Sequence, residues 1–412
     1  MTTPFVLGVN YWPRRKAMNW WKQFDADEVR EEFDIIASVG MNVVRIFLLW
    51  DDWMPTPTTV DAACLDNLGT VLDIAAERNL GLDITFFTGH MSGPNWAPGW
   101  MLSDEVPFPV PALSSHQRQV ISGGQEVHTN YRNFFNDPLV IDAAKLLLHT
   151  VVDRYEDHAG VWMWNLGNEP DLFAWPADHA QGQAWVREMT ALIKALDPIH
   201  PVTCGLHMDS VVQNNGLRPN EVFAETDVAV IHGYPMYAGW SRQPLDPDFV
   251  PYACALVSAF CGKPTLAEEW GGCTTDQAQS EVWEWEGYNR THKQFMASEA
   301  DFADYVGKVL PNLLEVGSTG ALLWCFADYV PELWDSPPCD YQRHERFFGL
   351  VRPDGSLKPH ADVIRAFAAT NPTVQPATRT VTLDVTPDAY FDAPLEHSSR
   401  LYRDYIARYE GE

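Results

Sequence analysis

Short apolar runs alternate along most of the chain with longer stretches in which apolar residues recur every three or four positions. The short runs have the length of strands buried on both faces, and the longer ones the period of helices covering them. Strands are predicted at Phe5 to Asn10, Asn42 to Leu49, Leu82 to Phe87, Val161 to Leu166, Pro201 to Leu206, Val228 to Ile231, Pro264 to Ala267 and Ala321 to Phe326. Helices fit between them. Asp25 and Glu28 have capping-box spacing ahead of Val29, Phe33 and Ile36, and Gly40 ends that run. Leu68, Leu72 and Ala75 repeat the period, as do Val140, Ala144, Leu147, Val151 and Tyr155. The strand number suits a closed TIM (β/α)8 barrel, although an open doubly wound sheet shows the same alternation.

Four segments that follow predicted strands are much longer than a βα loop needs: Gly89 to Asn136, Tyr234 to Pro251, Gly271 to Ser298 and Ala327 to Phe348. In a barrel all would lie on the C-terminal rim, where such folds keep their active sites. The rhythm stops after Asn371-Pro372. Arg379 to Val385 then alternates like a half-exposed strand, and a short helix is expected from Ser398 to Tyr409. The division expected is a barrel over residues 1–370 and an extension over residues 371–412, too short to fold alone and so packed on the barrel.

At 412 residues, 46% of them hydrophobic, the chain can bury a large core. Its 17 Trp, 14 Tyr and 20 Phe are unusual. An aromatic face suits the C–H face of a sugar, and equally a large aromatic core. With 28 basic against 56 acidic residues the net charge is -28, which repels nucleic acid and anionic membranes. The 7 Cys lack the close spacing of zinc or redox sites and read as reduced, buried thiols. No secretion signal or membrane span is visible, so a cytoplasmic location is expected, with Asn289-Arg290-Thr291 a glycosylation sequon in sequence only.

The sharpest local signal is Trp162-Met163-Trp164-Asn165-Leu166-Gly167-Asn168-Glu169-Pro170, an apolar strand ending abruptly in an amide and a carboxyl. A second apolar strand runs into Glu268-Glu269-Trp270-Gly271. Each has a bland alternative: Glu169 as a helix N-terminal carboxylate followed by Pro, and Glu268 and Glu269 as an exposed loop pair. Two rim carboxyls together suit glycoside hydrolysis, in which one protonates the leaving oxygen and the other attacks the anomeric carbon. There is no HExxH, no glycine-rich phosphate loop and no Cys/His cluster, so no metal or cofactor is expected.

From about residue 5 to residue 368 the sequence resembles glycoside hydrolase family 5 and the wider clan of barrel glycosidases. The resemblance rests on Asn168-Glu169-Pro170, Glu269-Trp270-Gly271, Arg45, His232-Gly233-Tyr234 and Trp324. It implies Glu169 as acid/base and Glu269 as nucleophile, with Glu268 the adjacent alternative. It also implies that Arg45 and Tyr234 support the nucleophile, that Asn168 binds the sugar 2-hydroxyl, that His232 sits near Glu169, and that Trp324 forms the stacking floor. Arg45 can instead be read as a structural ion-pair partner. His90 and Trp96 are candidates for substrate contact, and Trp12, Trp283 and Trp285 are further aromatics on the loops.

The opening Gly8-Val9-Asn10-Tyr11-Trp12-Pro13 and the Glu268-Glu269-Trp270-Gly271 turn look most like members acting on β-mannosides. Long rim loops favour a closed pocket. The expected activity is therefore a retaining exo-β-mannosidase taking short β-mannoside oligosaccharides, among them mannose β1,4-linked to N-acetylglucosamine. An endo-β-1,4-mannanase or β-glucanase is the competing enzyme reading, and a non-catalytic carbohydrate-binding barrel the competing class.

Overall fold

The computed structural model describes residues 3–111, 119–287 and 290–409. Eight parallel strands form one sheet: β1 (Val6–Asn10), β2 (Val43–Leu49), β3 (Gly81–Thr88), β4 (Val161–Asn168), β5 (Val202–Gly205), β6 (Ala229–Gly233), β7 (Thr265–Gly271) and β8 (Gly320–Trp324). Neighbours pair in the order β5-β4-β3-β2-β1-β8-β7-β6. The remaining seam is closed by the Asp227 amide on the Val202 carbonyl at 2.9 Å and the His232 amide on the Leu206 carbonyl at 2.9 Å. The sheet is thus a TIM barrel, and the strand residues are buried almost without exception because side chains fill the inside while helices cover the outside.

The covering helices are α1 (Ala26–Ser38), α2 (Ala62–Glu77), α3 (Pro138–Tyr155), α4 (His179–Leu196), α5 (Pro219–Glu225), α6 (Phe249–Cys261), α7 (Glu299–Glu315) and α8 (Pro359–Ala368). Side-chain caps start most of them: Asp61, Asp137, Asp178 and Ser298 accept hydrogen bonds from first-turn amides. The capping box expected at α1 is half made. The Asp25 carboxylate accepts from the Asp27 and Glu28 amides, but Glu28 turns to the Arg15 and Lys16 side chains instead of back to Asp25. All seven cysteines are free thiols. Among the described residues no helix is long and apolar enough to cross a membrane.

The predicted strand over Arg379 to Val385 is absent, because a closed barrel leaves no edge for it to pair with. Its backbone donors find other partners. The Thr378 and Arg379 amides bond the Glu315 carbonyl at 2.7 and 3.0 Å, and the Thr380 amide bonds the Tyr409 hydroxyl at 3.0 Å. The helix beyond it, α9, starts earlier than expected, at Pro394, and ends at Tyr409. It lies against α6: the Tyr252 hydroxyl donates to the Ser398 carbonyl at 2.7 Å, and Tyr402 donates to the buried Asp246. Tyr390 stacks edge-on against Phe260 at 4.8 Å and donates to the Val211 carbonyl.

The long segments do rise from the C-terminal ends of the strands. The one after β7 carries an antiparallel hairpin, Glu281–Gly287 with Arg290–Ser298, and the one after β3 carries three short strands that the sequence pattern did not indicate. Asn289 of the sequon lies outside the described residues.

The burial of Tyr390, Phe391, Leu401, Tyr402, Tyr405 and Ile406 against the barrel makes the extension part of its core. Replacing Tyr402 by Ala is expected to cost about 3–5 kcal/mol in unfolding free energy, the usual loss for a buried ring. Removing everything after Asn371 should yield an aggregating or unfolded chain. Denaturant unfolding of the first variant and size-exclusion chromatography of the second check this. A folded, monodisperse barrel after truncation would show that the extension is dispensable.

Candidate active site

Glu169 follows the last residue of β4 and holds a left-handed backbone, φ 46° and ψ 55°, before Pro170 opens a short helix. A non-glycine residue rarely adopts this conformation, and the chain keeps it where the strand must turn sharply and present a side chain to the barrel mouth. On β7 the local device is different. Adjacent residues of a regular strand face opposite ways, yet Glu268 and Glu269 both reach Arg45, at 3.5 and 2.6 Å. The pairing register shifts between Ala267 and Glu269 against β6, and between Ala267 and Trp270 against β8. This bulge turns both carboxyls inward.

The two then part company. Glu268 is fully buried beneath the pocket, where it accepts from Asn165 Nδ2 at 3.0 Å and meets His232 Nε2 at 2.9 Å. Glu269 lines the pocket itself. Its Oε1 takes Arg45 Nη1 at 2.6 Å, and its Oε2 accepts from the Tyr234 hydroxyl at 2.9 Å. Of the adjacent pair, Glu269 alone can meet a ligand.

Arg45 ties these strands together. Its guanidinium donates to Asn10 Oδ1, Thr85 Oγ1 and Asn168 Oδ1 at 3.1, 2.9 and 3.0 Å, besides Glu269. Asn168 in turn donates to the His90 carbonyl at 2.9 Å. Gly205 makes room for this layer. A Cβ there would stand 2.8 Å from Arg45 Nη2 and 2.9 Å from Glu268 Oε2. Arg45 is thus both a buried ion-pair partner and a direct contact of a pocket carboxylate.

His232 Nδ1 lies 3.0 Å from Glu169 Oε1, while its other nitrogen faces Glu268. One carboxylate oxygen of Glu169, one of Glu269 and a ring nitrogen of His232 all lie within 4.8 Å of one another. Two further histidines flank Glu169: His90 Nε2 at 3.9 Å and His207 Nε2 at 4.0 Å.

The pocket above these groups has a volume of about 490 Å³, within the usual range of small-molecule sites of about 300–1,000 Å³. Of the residues expected there, His90, Asn168, Glu169, Tyr234, Glu269, Trp324 and, among the loop aromatics, Trp285 line it. Arg45 and His232 are fully buried and act from behind. Trp96 is not in the pocket: its indole is buried and donates to the Met91 carbonyl at 3.1 Å, holding the loop after β3. Trp12 is stacked on Phe47 in the core, and Trp283 packs on Phe347. Sequence reasoning missed His207, Tyr237, His292, Gln342, His344 and Glu345, which also line the pocket. They sit in loops without periodicity, where no spacing distinguishes them from surface polar residues.

The charges in the site are strongly perturbed. Burial alone lowers the His232 pKa, but Glu269, Glu169 and Glu268 around the ring outweigh it and raise it to about 9. Burial likewise pushes Glu169 up, yet His207, His232 and His90 hold it below the ordinary carboxylate value. For Glu269 burial and the facing Glu169 charge prevail over His232, Arg45 and Tyr234, and its pKa is raised. At neutral pH His232 therefore carries a proton and hydrogen-bonds Glu169. A second group, Asp171, His207 and Asp209, also brings one donor atom from each residue within 4.8 Å of the others. There one Asp171 oxygen already accepts from Asn215, and His207 Nδ1 accepts from the Asp209 amide.

Comparison with known proteins places this geometry among glycosidases. Among curated sequences, the probable mannan endo-1,4-beta-mannosidase C of Aspergillus terreus is 29% identical over 222 residues, 44% of this chain and 53% of that protein. Mannan endo-1,4-beta-mannosidase 5 of Solanum lycopersicum is 24% identical over 56% of this chain and 57% of its own. The chain thus spans little more than half the length of these relatives. Among solved structures, the exo-beta-1,4-mannosidase Op5Man5 from Opitutaceae bacterium strain TAV5 has 27% identity and a TM-score of 0.71, over 90% of this chain and 60% of that one. GH5_18 from Streptomyces cattleya, in complex with GlcNAc, shares the fold at 20% identity and a TM-score of 0.78, over 100% and 92% of the two chains. The profile described as Cellulase (glycosyl hydrolase family 5) matches residues 8–303, and the chain belongs to that family.

Proposed function

We propose that the protein is a retaining exo-β-mannosidase that removes terminal β-mannose from short oligosaccharides, including mannose β1,4-linked to N-acetylglucosamine. The observation that carries the reading is the spacing of Glu169 and Glu269. Oxygens within 4.8 Å suit the narrow separation of a retaining pair, about 5–5.5 Å between carboxyls, better than the about 6.5–9.5 Å of an inverting pair. The sugar class is supported by the exo-mannosidase likeness and by structural neighbours solved with Manβ1-4GlcNAc. Exo action is supported by the rim: the loops after β3 and β8 meet where Gln342 covers Gly93, and the Trp285 indole of the hairpin donates to the Tyr341 carbonyl at 2.9 Å. An endo-acting mannanase needs a groove open at both ends.

In the first step Glu269 attacks the anomeric carbon with the pair of electrons on its carboxylate. The bond to the leaving oxygen breaks, and that oxygen takes a proton from Glu169. Attack converts Glu269 to an uncharged ester and so removes the largest charge favouring the proton on His232. As that charge disappears the His232 proton moves to Glu169, 3.0 Å away, which hands it to the leaving oxygen; the proton that Glu169 takes from water in the second step returns to His232 once Glu269 is a carboxylate again. In the second step Glu169 accepts a proton from water, the hydroxide oxygen attacks the anomeric carbon, and Glu269 leaves as a carboxylate. Arg45 and Tyr234 stabilise that returning charge.

Azide separates the roles. Glu269→Ala should lose hydrolysis of p-nitrophenyl β-mannoside and regain turnover with azide, giving α-mannosyl azide. Glu169→Ala should lose about 10²–10⁴-fold on mannobiose and give β-mannosyl azide. Glu268→Ala, lacking access to the pocket, should give no azide product. A rescued Glu268→Ala with an unrescued Glu269→Ala would reverse the assignment.

The kcat/KM of the wild type should fall as pH rises through about 9, where the His232–Glu169 pair loses its proton, and the protonated form should persist below that. His232→Asn should move this alkaline limb to lower pH. An unchanged limb in a pH–rate profile would exclude His232 as its source.

A further inference from the structure

The mechanism leaves one buried acid in the pocket without a task. Glu345 lies in the turn Arg343–Phe347 of the loop after β8, 8% exposed and lining the same cavity as Glu169, Glu269 and Trp324. Among the described residues no Lys or Arg pairs with it; its nearest ionisable partner is His344 Nε2 at 3.5 Å. His344 is itself buried, with Nε2 3.0 Å from the Tyr237 hydroxyl and Nδ1 without a hydrogen-bond partner. A carboxyl and an imidazole are costly to bury this way unless something polar meets them.

Their surroundings say what. Burial raises Glu345 to about 8 against the opposing Ser92 and Trp324 side chains, and the charges of Glu269 and Glu169 add to the rise. Burial lowers His344 to about 3. Both are uncharged at neutral pH: the protonated Glu345 offers a donor and an acceptor, as the hydroxyls of a neutral sugar require, and His344 keeps one ring nitrogen, Nδ1, unengaged. An anionic or cationic ligand would leave them mismatched.

Position decides which sugar. Glu345 belongs to the loop after β8 and lines the pocket together with Ser92, Gly93 and Gln342, where the loops after β3 and β8 meet. Gly93, at φ +102°, is packed so tightly under Gln342 that a Cβ would lie 2.6 Å from its amide nitrogen. Resting on the exo-mannosidase reading above, we propose that Glu345, flanked by His344, is the end-stop of the glycone site. It hydrogen-bonds the O4 hydroxyl of the terminal mannose, the position from which a β1,4 chain would otherwise continue.

The test compares p-nitrophenyl β-mannoside with its 4-deoxy analogue for the wild type, E345A and E345Q, each first shown to be folded by its melting temperature. For the wild type, loss of the hydroxyl should lower kcat/KM by about 10–100-fold. E345A should lose a similar factor on the parent glycoside and little more on the deoxy compound. E345Q, which keeps a donor and an acceptor, should stay within about tenfold of the wild type. The inference is overturned if E345A stays within about threefold of the wild type on the parent compound, or if the deoxy penalty is the same in both. A wild type that ignores the mannoside and cleaves the glucoside would remove the sugar assignment alone. The same comparison on the glucoside and its 4-deoxy analogue then decides the role of Glu345.

Discussion

Arg45 carries a permanent charge into a part of the barrel that solvent does not reach, and much of the site can be understood as the answer to that charge. A buried guanidinium is tolerated only where carboxylates and oxygen acceptors surround it closely. Here they come from several strands: Asn10 of β1, Thr85 of β3, Asn168 of β4, and Glu268 and Glu269 of β7. The bulge in β7, the absent side chain at Gly205 and the burial of Glu268 all serve this one arrangement. The geometry of the pocket floor is thereby fixed by the barrel's own electrostatics.

Charge balance also explains why two glutamates stand side by side. Glu268 neutralises part of the buried positive charge and anchors one nitrogen of His232, which orients the other toward Glu169. Glu269 can then present its carboxyl at the pocket floor, because the ion pair does not rest on it alone. Burial and the neighbouring Glu268 raise Asp83, on β3 beside Arg45, well above the ordinary carboxylate range.

What could be read from the sequence follows from where each residue's environment is set. The barrel strands are buried on both faces, so their apolar runs mark them directly, and the carboxyls that end β4 and β7 stand out against those runs. The resemblance to a family supplied roles that no periodicity contains. The misreadings have the same origin. The alternation at Val381, Leu383 and Val385 indicates one buried side, but not that the neighbour is a helix instead of a strand. Trp96 and Trp285 both sit on long loops, and only the folding of each loop decides that one indole holds a turn while the other faces the cavity. In Arg343-His344-Glu345-Arg346, four polar residues in succession carry no pattern that marks a site, yet the middle two are buried.

That inward turn divides the pocket electrically. At its floor, Arg45, His232, Glu169 and Glu269 form a dense set of paired charges. At its closed end, Glu345 and His344 are uncharged at neutral pH. A charged recognition residue so near the reacting pair would shift the very proton affinities on which turnover depends. Neutral hydrogen-bonding groups can select a sugar without disturbing them. Burial therefore has two effects in one cavity: it strengthens the interactions among charges that are paired, and it discharges acids that have no partner. The second effect turns a glutamate, by sequence the same residue as Glu169 and Glu269, into a donor suited to a hydroxyl.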